Sequence, residues 1–208
     1  VLNGVSIDPQ VHDGFRIALA DLKSDNTLEV LGSSEYMNTG EGMHRFIDPV
    51  DDEVYLYTQF EIADARRVFA CFDQPDLKAT FQFGITAPNH WKVVSNTATP
   101  SPSPAASGAV IYDFAPTQRM STYITAIVAG PYYEVHDVYA GQYGAYPLGL
   151  YCRASLGEFL DHEEIFEVTK QGFEFFENAF ECAYPFGKYD QLFVPEFNAG
   201  AMENAGCV

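Results

Sequence analysis

Positive charge is scarce in this chain. Only 11 Lys and Arg stand against 29 Asp and Glu, leaving a formal net charge of −18. A surface of that sign repels phosphate backbones and anionic membranes, which argues against a nucleic-acid partner and against membrane binding. The acidity reads first as a solvated surface. A sharper reading is that some carboxylates attract a cationic ligand such as a peptide amine. No apolar run reaches the roughly 18 residues of a membrane span. The opening residues, VLNG, lack the basic start and long apolar stretch of a signal peptide. Cysteine is sparse as well. Cys71, Cys152, Cys182 and Cys207 form no CxxC pair, match no zinc knuckle or ribbon, and are too few for a disulfide scaffold. They are expected to be free thiols in a reducing, cytoplasmic setting. The five histidines, at positions 12, 44, 90, 136 and 162, include no HxxxH pair and are read as structural or exposed rather than as metal ligands.

What is present is ring surface. Seventeen Phe and 13 Tyr within 208 residues argue for a packed, largely β core. Most of the first 150 residues read as strands. VYLYTQF at 54–60 is rich in β-formers. KATFQFGITA at 78–87 alternates, with Phe81, Phe83 and Ile85 on one face and Thr80, Gln82 and Thr86 on the other. Residues 91–95, 110–114 and 121–129 continue the pattern. The last of these is apolar on both faces and therefore central. Short strands separated by turn signals indicate an antiparallel sandwich. The stretch TATPSPSPAASG at 97–108 reads as an exposed hairpin loop, because Pro100, Pro102 and Pro104 exclude a central strand.

The pattern then changes period. Phe166, Thr169, Phe173, Phe176 and Phe180 recur at steps of three and four, which predicts a helix over 161–180 with one buried stripe. Asp161 is its expected N-cap, and Pro185 is expected to end it. A short strand at 192–194 follows. The expected organisation is a β domain over 1–142 and the opening of a mixed α/β domain over 143–208. The second part is too small to form its own core, so its partners are expected beyond Val208.

Three strings carry chemistry. The first is Gly200-Ala201-Met202-Glu203-Asn204, in which a glycine permits close backbone approach and a following carboxylate can hold an amine. The second is RRVFACFDQPDLKATF at 66–81, where Asp73 and Pro75 read as a turn holding two strands. Arg66 and Arg67 read as surface or interdomain ion pairs. The third is Thr58-Gln59-Phe60-Glu61. Gln59 and Glu61 lie two apart on a strand and share a face, either a solvated one or a functional one. In content, order and spacing these strings resemble the aminopeptidase N family of zinc metallopeptidases, and 200–204 matches that family's GAMEN motif in full. The resemblance runs from about Asn3 to Val208 and is strongest to bacterial members, through stretches such as EYMNTGEGMHRFIDP at 35–49. The departures are Ala70, where many members have Pro, and Gln74, where many have Glu.

The resemblance implies a fold that is mainly β with some α. A saddle-like antiparallel β-sandwich domain, here lacking its first strands, precedes the beginning of a thermolysin-like α/β catalytic domain. It implies a zinc-dependent aminopeptidase acting on peptides with a free N-terminus. Glu203 would be a catalytic and amine-binding carboxylate. Gln59 and Glu61 would hold the substrate amine, and Gly200, Ala201, Met202 and Asn204 would complete the substrate site. Zinc would be held by an HExxH motif and a later Glu beyond Val208, so no metal is expected in this chain and the fragment alone is expected to be inactive. Two other readings stay open on the sequence. A leukotriene-hydrolase-like relative would favour Gly where Ala201 stands. A non-catalytic scaffold homologue would lose the ligands downstream.

Overall fold

The computed structural model describes all 208 residues, which form two compact units, Val1–Ser34 and Glu35–Val208. The first has no regular strand and no buried residue. It is held by isolated bridges such as Leu2 with Leu28 and His12 with Ile17, and by a short 3-10 turn at Pro9–Val11 capped by Asp8. The strand-rich reading of the chain's first part therefore does not extend here. Asp and Asn side chains satisfy neighbouring amides instead, as Asp13 does for Phe15 and Arg16.

In the second unit the strands are β1 (Gly42–Ile47), β2 (Val54–Gln59), β3 (Gly84–Pro88), β4 (Lys92–Ser95) and β5 (Ser103–Pro104). After them come β6 (Ala109–Asp113), β7 (Ile127–Gly130), β8 (Tyr133–Gly141) and β9 (Gly144–Cys152), the helix α1 (His162–Phe180), and β10 (Tyr189–Phe193). They make three sheets. One is antiparallel, in the order β1-β2-β7-β4. A second is antiparallel, in the order β3-β6-β5. The third, β10-β9-β8, has β10 parallel to β9.

The four-stranded sheet is the middle layer, and period-two alternation makes it so. Leu56, Val93 and Ala129 face the second sheet, where Ala87, Tyr112 and Phe114 complete a buried cluster. Their neighbours Tyr55, Tyr57, Val94 and Val128 face the other way, against Tyr151 and Cys207, with Leu192, Val194 and Phe197 around them. Each fully buried aliphatic side chain in such a layer contributes about 1.5–3 kcal/mol. This two-sided burial is why the segment that carries β7 reads as apolar on both faces. Together the first two sheets form the expected antiparallel sandwich. Pro104 lies on β5, an edge strand, where its missing N–H costs no ladder bond.

The third sheet gives one face to the middle layer through Tyr151 and the other to α1. Tyr139, Tyr146, Leu148 and Leu150 pack with Phe166, and Phe173 lies among Tyr139, Tyr146, Tyr184 and Tyr189. Asp161 caps the helix as expected, accepting from the Glu164 amide at 3.4 Å. The helix stops at Glu181, which takes a left-handed conformation with φ 51°, four residues before Pro185.

Three local expectations need correction. Phe176 and Phe180 are exposed, and the buried stripe continues instead through Glu177, whose carboxylate accepts a hydrogen bond from the Tyr139 hydroxyl at 3.0 Å. A tyrosine-rich sheet face offers that polar partner, and it turns the helix by one position. The strand expected over 78–87 is paired as a ladder only from Gly84, although Phe81, Phe83, Ile85 and Ala87 do face inward. Residues 122–124 form a 3-10 turn, so β7 begins only at Ile127. The β8–β9 hairpin, with its turn at 142–143, is the longest antiparallel pairing and was not expected.

Candidate functional site

The β2 strand sets one end of the site. Gln59 is its last residue and is half-buried. By alternation it continues the face of Tyr55 and Tyr57. Glu61 lies beyond the strand, in an exposed turn whose Glu61–Ile62 peptide is cis. The two are joined locally, because Gln59 Oε1 accepts the Glu61 amide at 3.2 Å. Phe60 between them is buried and packs edge-on against Phe69.

The second part is the loop that follows β10. Its entry is tied to β1 and β2. Glu196 Oε2 lies 3.1 Å from His44 Nε2, and the Tyr57 hydroxyl donates to the Glu196 carbonyl at 3.3 Å. Phe197 sits against the Tyr57 ring with centroids 5.9 Å apart, and Asn198 Nδ2 donates to the Thr39 carbonyl at 2.5 Å. Burial, with Glu196 nearby, pushes the Tyr57 phenol up to about 12, so at neutral pH it stays a donor.

The exit of the loop is woven into the sheets. Residues 206–208 run beside β10, the Asp190 amide donating to the Gly206 carbonyl and the Val208 amide to the Asp190 carbonyl. Lys188, itself buried, pairs with buried Asp190 and donates to the Gly206 carbonyl at 2.8 Å. Buried Asn96 donates to the carbonyls of Ala205 and Ile124, both at 2.9 Å, and accepts from the Ala126 amide. Gly206 has φ 67°, and a Cβ there would lie 2.7 Å from the Asn96 carbonyl, so only glycine fits this crossing.

Between these anchors lie residues 200–204. Gly200, Ala201 and Glu203 are exposed, while Met202 and Asn204 are buried. Gly200 has open space where a Cβ would be. Neither Glu203 nor Glu61 enters a salt bridge or a side-chain hydrogen bond. No hydrogen bond joins Gln59 or Glu61 to 200–204. Tyr57, on the same strand as Gln59, contacts the 196–197 segment that leads into 200–204. Nowhere do three His, Cys, Asp or Glu side chains gather as a metal-ligand set. His44 has both ring nitrogens engaged, since Nδ1 accepts from the Gly40 amide at 2.9 Å.

The Peptidase M1 N-terminal domain matches residues 14–124, and the Peptidase family M1 domain matches residues 164–208. The chain belongs to peptidase family M1. Aminopeptidase N of Streptomyces lividans is 58% identical over 209 residues, covering 100% of this chain and 24% of the relative. Aminopeptidase N of Acetobacter pasteurianus is 35% identical over 193 residues, covering 88% of this chain and 51% of the relative. Aminopeptidase N of Mus musculus is 34% identical over 158 residues, covering 75% of this chain and 16% of the relative. This M1 chain therefore spans between about one sixth and one half of these relatives. No helix in it is long and apolar enough to cross a membrane.

The other strings of the M1 chain fall in supporting positions. Asp73 accepts from the Arg66 amide at 3.0 Å and from the Thr122 hydroxyl at 2.7 Å, so it ties two 3-10 turns together where a turn holding two strands is expected. Arg67 pairs with Asp64 and Glu41 at the surface. The sequence does not mark Glu196, Asn96, Lys188 or Asp190 as anchors, and it gives His44 only as structural or exposed. Lys188 and Asp190, two apart at the start of β10, carry a faint signal of a same-face pair. Asn96 carries none, because its partners lie 28 to 109 residues away.

Proposed function

We propose that the protein of which this chain is part is a zinc-dependent aminopeptidase that releases N-terminal residues from peptides, and that this chain supplies the recognition of the substrate amine. In that reading Glu203 and Glu61 hold the α-ammonium by charge-assisted hydrogen bonds, and Gln59 adds a neutral contact. The backbone near Gly200 and Ala201 pairs with the substrate main chain like an added strand, where the open space beside Gly200 permits close approach. Met202 and Asn204 seat the strip in the fold. Zinc, held by residues outside this chain, would polarise the scissile carbonyl and activate water. Residues 143–208 would then open the thermolysin-like catalytic domain, with 1–142 as the β domain. The four free cysteines fit a reducing, cytoplasmic setting.

The observation that carries this reading is the state of Glu203. It is an exposed, unpaired carboxylate held between two buried residues, in a loop fastened at both ends, within an intact Gly-Ala-Met-Glu-Asn string. Such a group is positioned yet unspent.

The test uses the full-length protein. Glu203→Gln keeps the shape and removes the charge. A charge-assisted bond of about 1.5–3 kcal/mol is lost. kcat/KM on free-amine substrates should drop roughly ten- to several-hundredfold, in both kcat and KM. N-acetylated substrates should be almost unaffected. Glu61→Gln should behave alike, and the double variant should be non-additive because both groups hold one ammonium. Unchanged kinetics on a free-amine substrate, with zinc still bound, would defeat the assignment.

A further inference from the structure

His44 does not face solvent and belongs to none of the three motif strings. It is fully buried on β1, with its ring stacked on Tyr57 at a centroid distance of 4.8 Å. Its Nδ1 accepts from the Gly40 amide, so the proton of the neutral ring resides on Nε2, which points at Glu196 Oε2. Glu196 sits at the entry of the loop that carries Glu203, in a left-handed conformation with φ 54° that is unfavourable for a glutamate. The segment has little room to shift. Gly40 has φ 80°, and a Cβ there would lie 2.3 Å from Asn198 Nδ2.

A phenylalanine would fill the same space beside Tyr57 without burying two polar nitrogens. The hydrogen-bonded imidazole adds direction, holding one carboxylate in one place. The exit of the loop is held by buried Lys188, Asp190 and Asn96. Its entry hangs on Glu196, whose side chain is 57% exposed, and on the contacts beside it.

We propose that His44 is a positioning residue which, through Glu196, fixes the entry of the 196–204 loop against β1 and β2 and so sets where Glu203 stands relative to Gln59 and Glu61. The assignment of 196–204 as the amine-binding strip rests on the function proposed above. The pinning itself does not. A loop freed at its entry still visits the native position for part of the time. Substrate binding then draws on that fraction, which raises KM while kcat on the bound complex stays nearly constant. A role confined to overall stability gives the opposite split, with less active enzyme, lower apparent kcat and unchanged KM.

The experiment uses the full-length protein with His44→Phe, Glu196→Asn and Glu196→Gln. Asparagine tolerates the left-handed backbone but is one methylene too short to reach the ring. Glutamine keeps an acceptor for the Nε2 proton. Hydrogen exchange of peptides covering 195–204 is compared with that of α1, and kcat and KM are measured on an alanyl-arylamide. His44→Phe and Glu196→Asn should speed exchange of 196–204 at least tenfold relative to α1. They should raise KM about tenfold and change kcat less than threefold. Glu196→Gln should stay within twofold of the parent in all three. If His44→Phe does not fold, Glu196→Asn carries the test, because that side chain is half exposed. Unaltered exchange of 196–204 in Glu196→Asn would overturn the proposal. So would faster exchange with unchanged KM, or a Glu196→Gln as damaging as Glu196→Asn. If the parent protein turns over no free-amine substrate, the functional reading fails, and the exchange measurement alone decides whether His44 holds the loop.

Discussion

Asp48 is fully buried just after β1 and accepts three hydrogen bonds, from the Val50 amide at 2.9 Å, Arg153 Nη1 at 2.9 Å and the Ser155 hydroxyl at 2.5 Å. Burial opposes its ionisation, but the Ser155 hydroxyl, the Val50 amide and the Arg153 guanidinium together outweigh it and hold the carboxyl below the usual carboxylate value. The sign follows from linkage. A folded-state pKa depressed below the unfolded one contributes stability that is complete above the unfolded value of 3.8 and lost as pH falls through the folded value. Asp48→Asn should therefore cost about 3 kcal/mol at pH 7, since it leaves Arg153 without its buried partner. The gap should narrow below about pH 4, where the carboxyl of the unfolded parent begins to bind its proton while the folded one does not. Urea unfolding of the intact protein at pH 7 and pH 3.5 checks this, and a gap that ignores pH would refute it. Asp48 illustrates a limit of reading residues singly, because two of its three partners, Arg153 and Ser155, follow it by more than 100 positions.

At the scale of elements, α1 shows how a period can be right in kind and displaced in detail. The helix spans 162–180 and is capped where its sequence indicates. Yet its inward stripe runs through Phe166, Phe173 and Glu177, leaving Phe176 to solvent within this chain. Phe173 stacks on Tyr139 at 5.0 Å and on Tyr146 at 5.7 Å, and meets Tyr184 and Tyr189 edge-on. Phe173→Ala should cost about 3 kcal/mol, near the low end for a buried Phe because the ring is not wholly enclosed. Phe176→Ala should cost at least 1.5 kcal/mol less, since little apolar area is withdrawn from water there in this chain. Chemical denaturation of both variants decides, and equal losses would place the stripe where the sequence periodicity first put it. The β8–β9 hairpin was legible in principle, through the alternation of Tyr133, Val135, Asp137 and Tyr139 and the Gly141-Gln142-Tyr143-Gly144 turn. It was obscured because its polar residues alternate with aromatics on a sheet packed on both faces.

At the largest scale, within Glu35–Val208, the middle sheet joins the other two sheets. Its strands bury one set of side chains against the second sheet and the alternate set against the third. The cysteines report on this. Cys207 lies in the cluster with Tyr55, Tyr57 and Tyr151, and burial pushes its thiol up to about 12. Burial raises Cys152 also, while Arg153 acts in the other direction. Neither thiolate forms readily in the folded state, so neither should react without opening. We expect Cys152 and Cys207 of the intact protein to be labelled by a thiol reagent at pH 8 together, at the rate of global unfolding. Mass spectrometry of labelled peptides checks this. Faster labelling of Cys207 alone would mean that 205–208 opens independently of the core, against the web of bonds from Lys188, Asp190 and Asn96.

The amino-acid sequence by itself determined the features that depend on near neighbours or on a contiguous string. These are the antiparallel sandwich, the central placing of the 121–129 segment, the helix with its Asp161 cap, the Asp73 turn and the family carried by 200–204. Alternation, helical period and turn chemistry act over a few residues, so they can be read along the chain. Only the tertiary structure decided which polar residues fasten the site. His44 meets Glu196 across 152 positions, Asn96 meets Ala205 across 109, and Lys188 pairs beneath Gly206. A buried hydrogen bond is set by where two backbones happen to cross. Nothing in the local pattern of either segment announces its partner, because the pairing is a property of the packed sheets and not of the residues that make it.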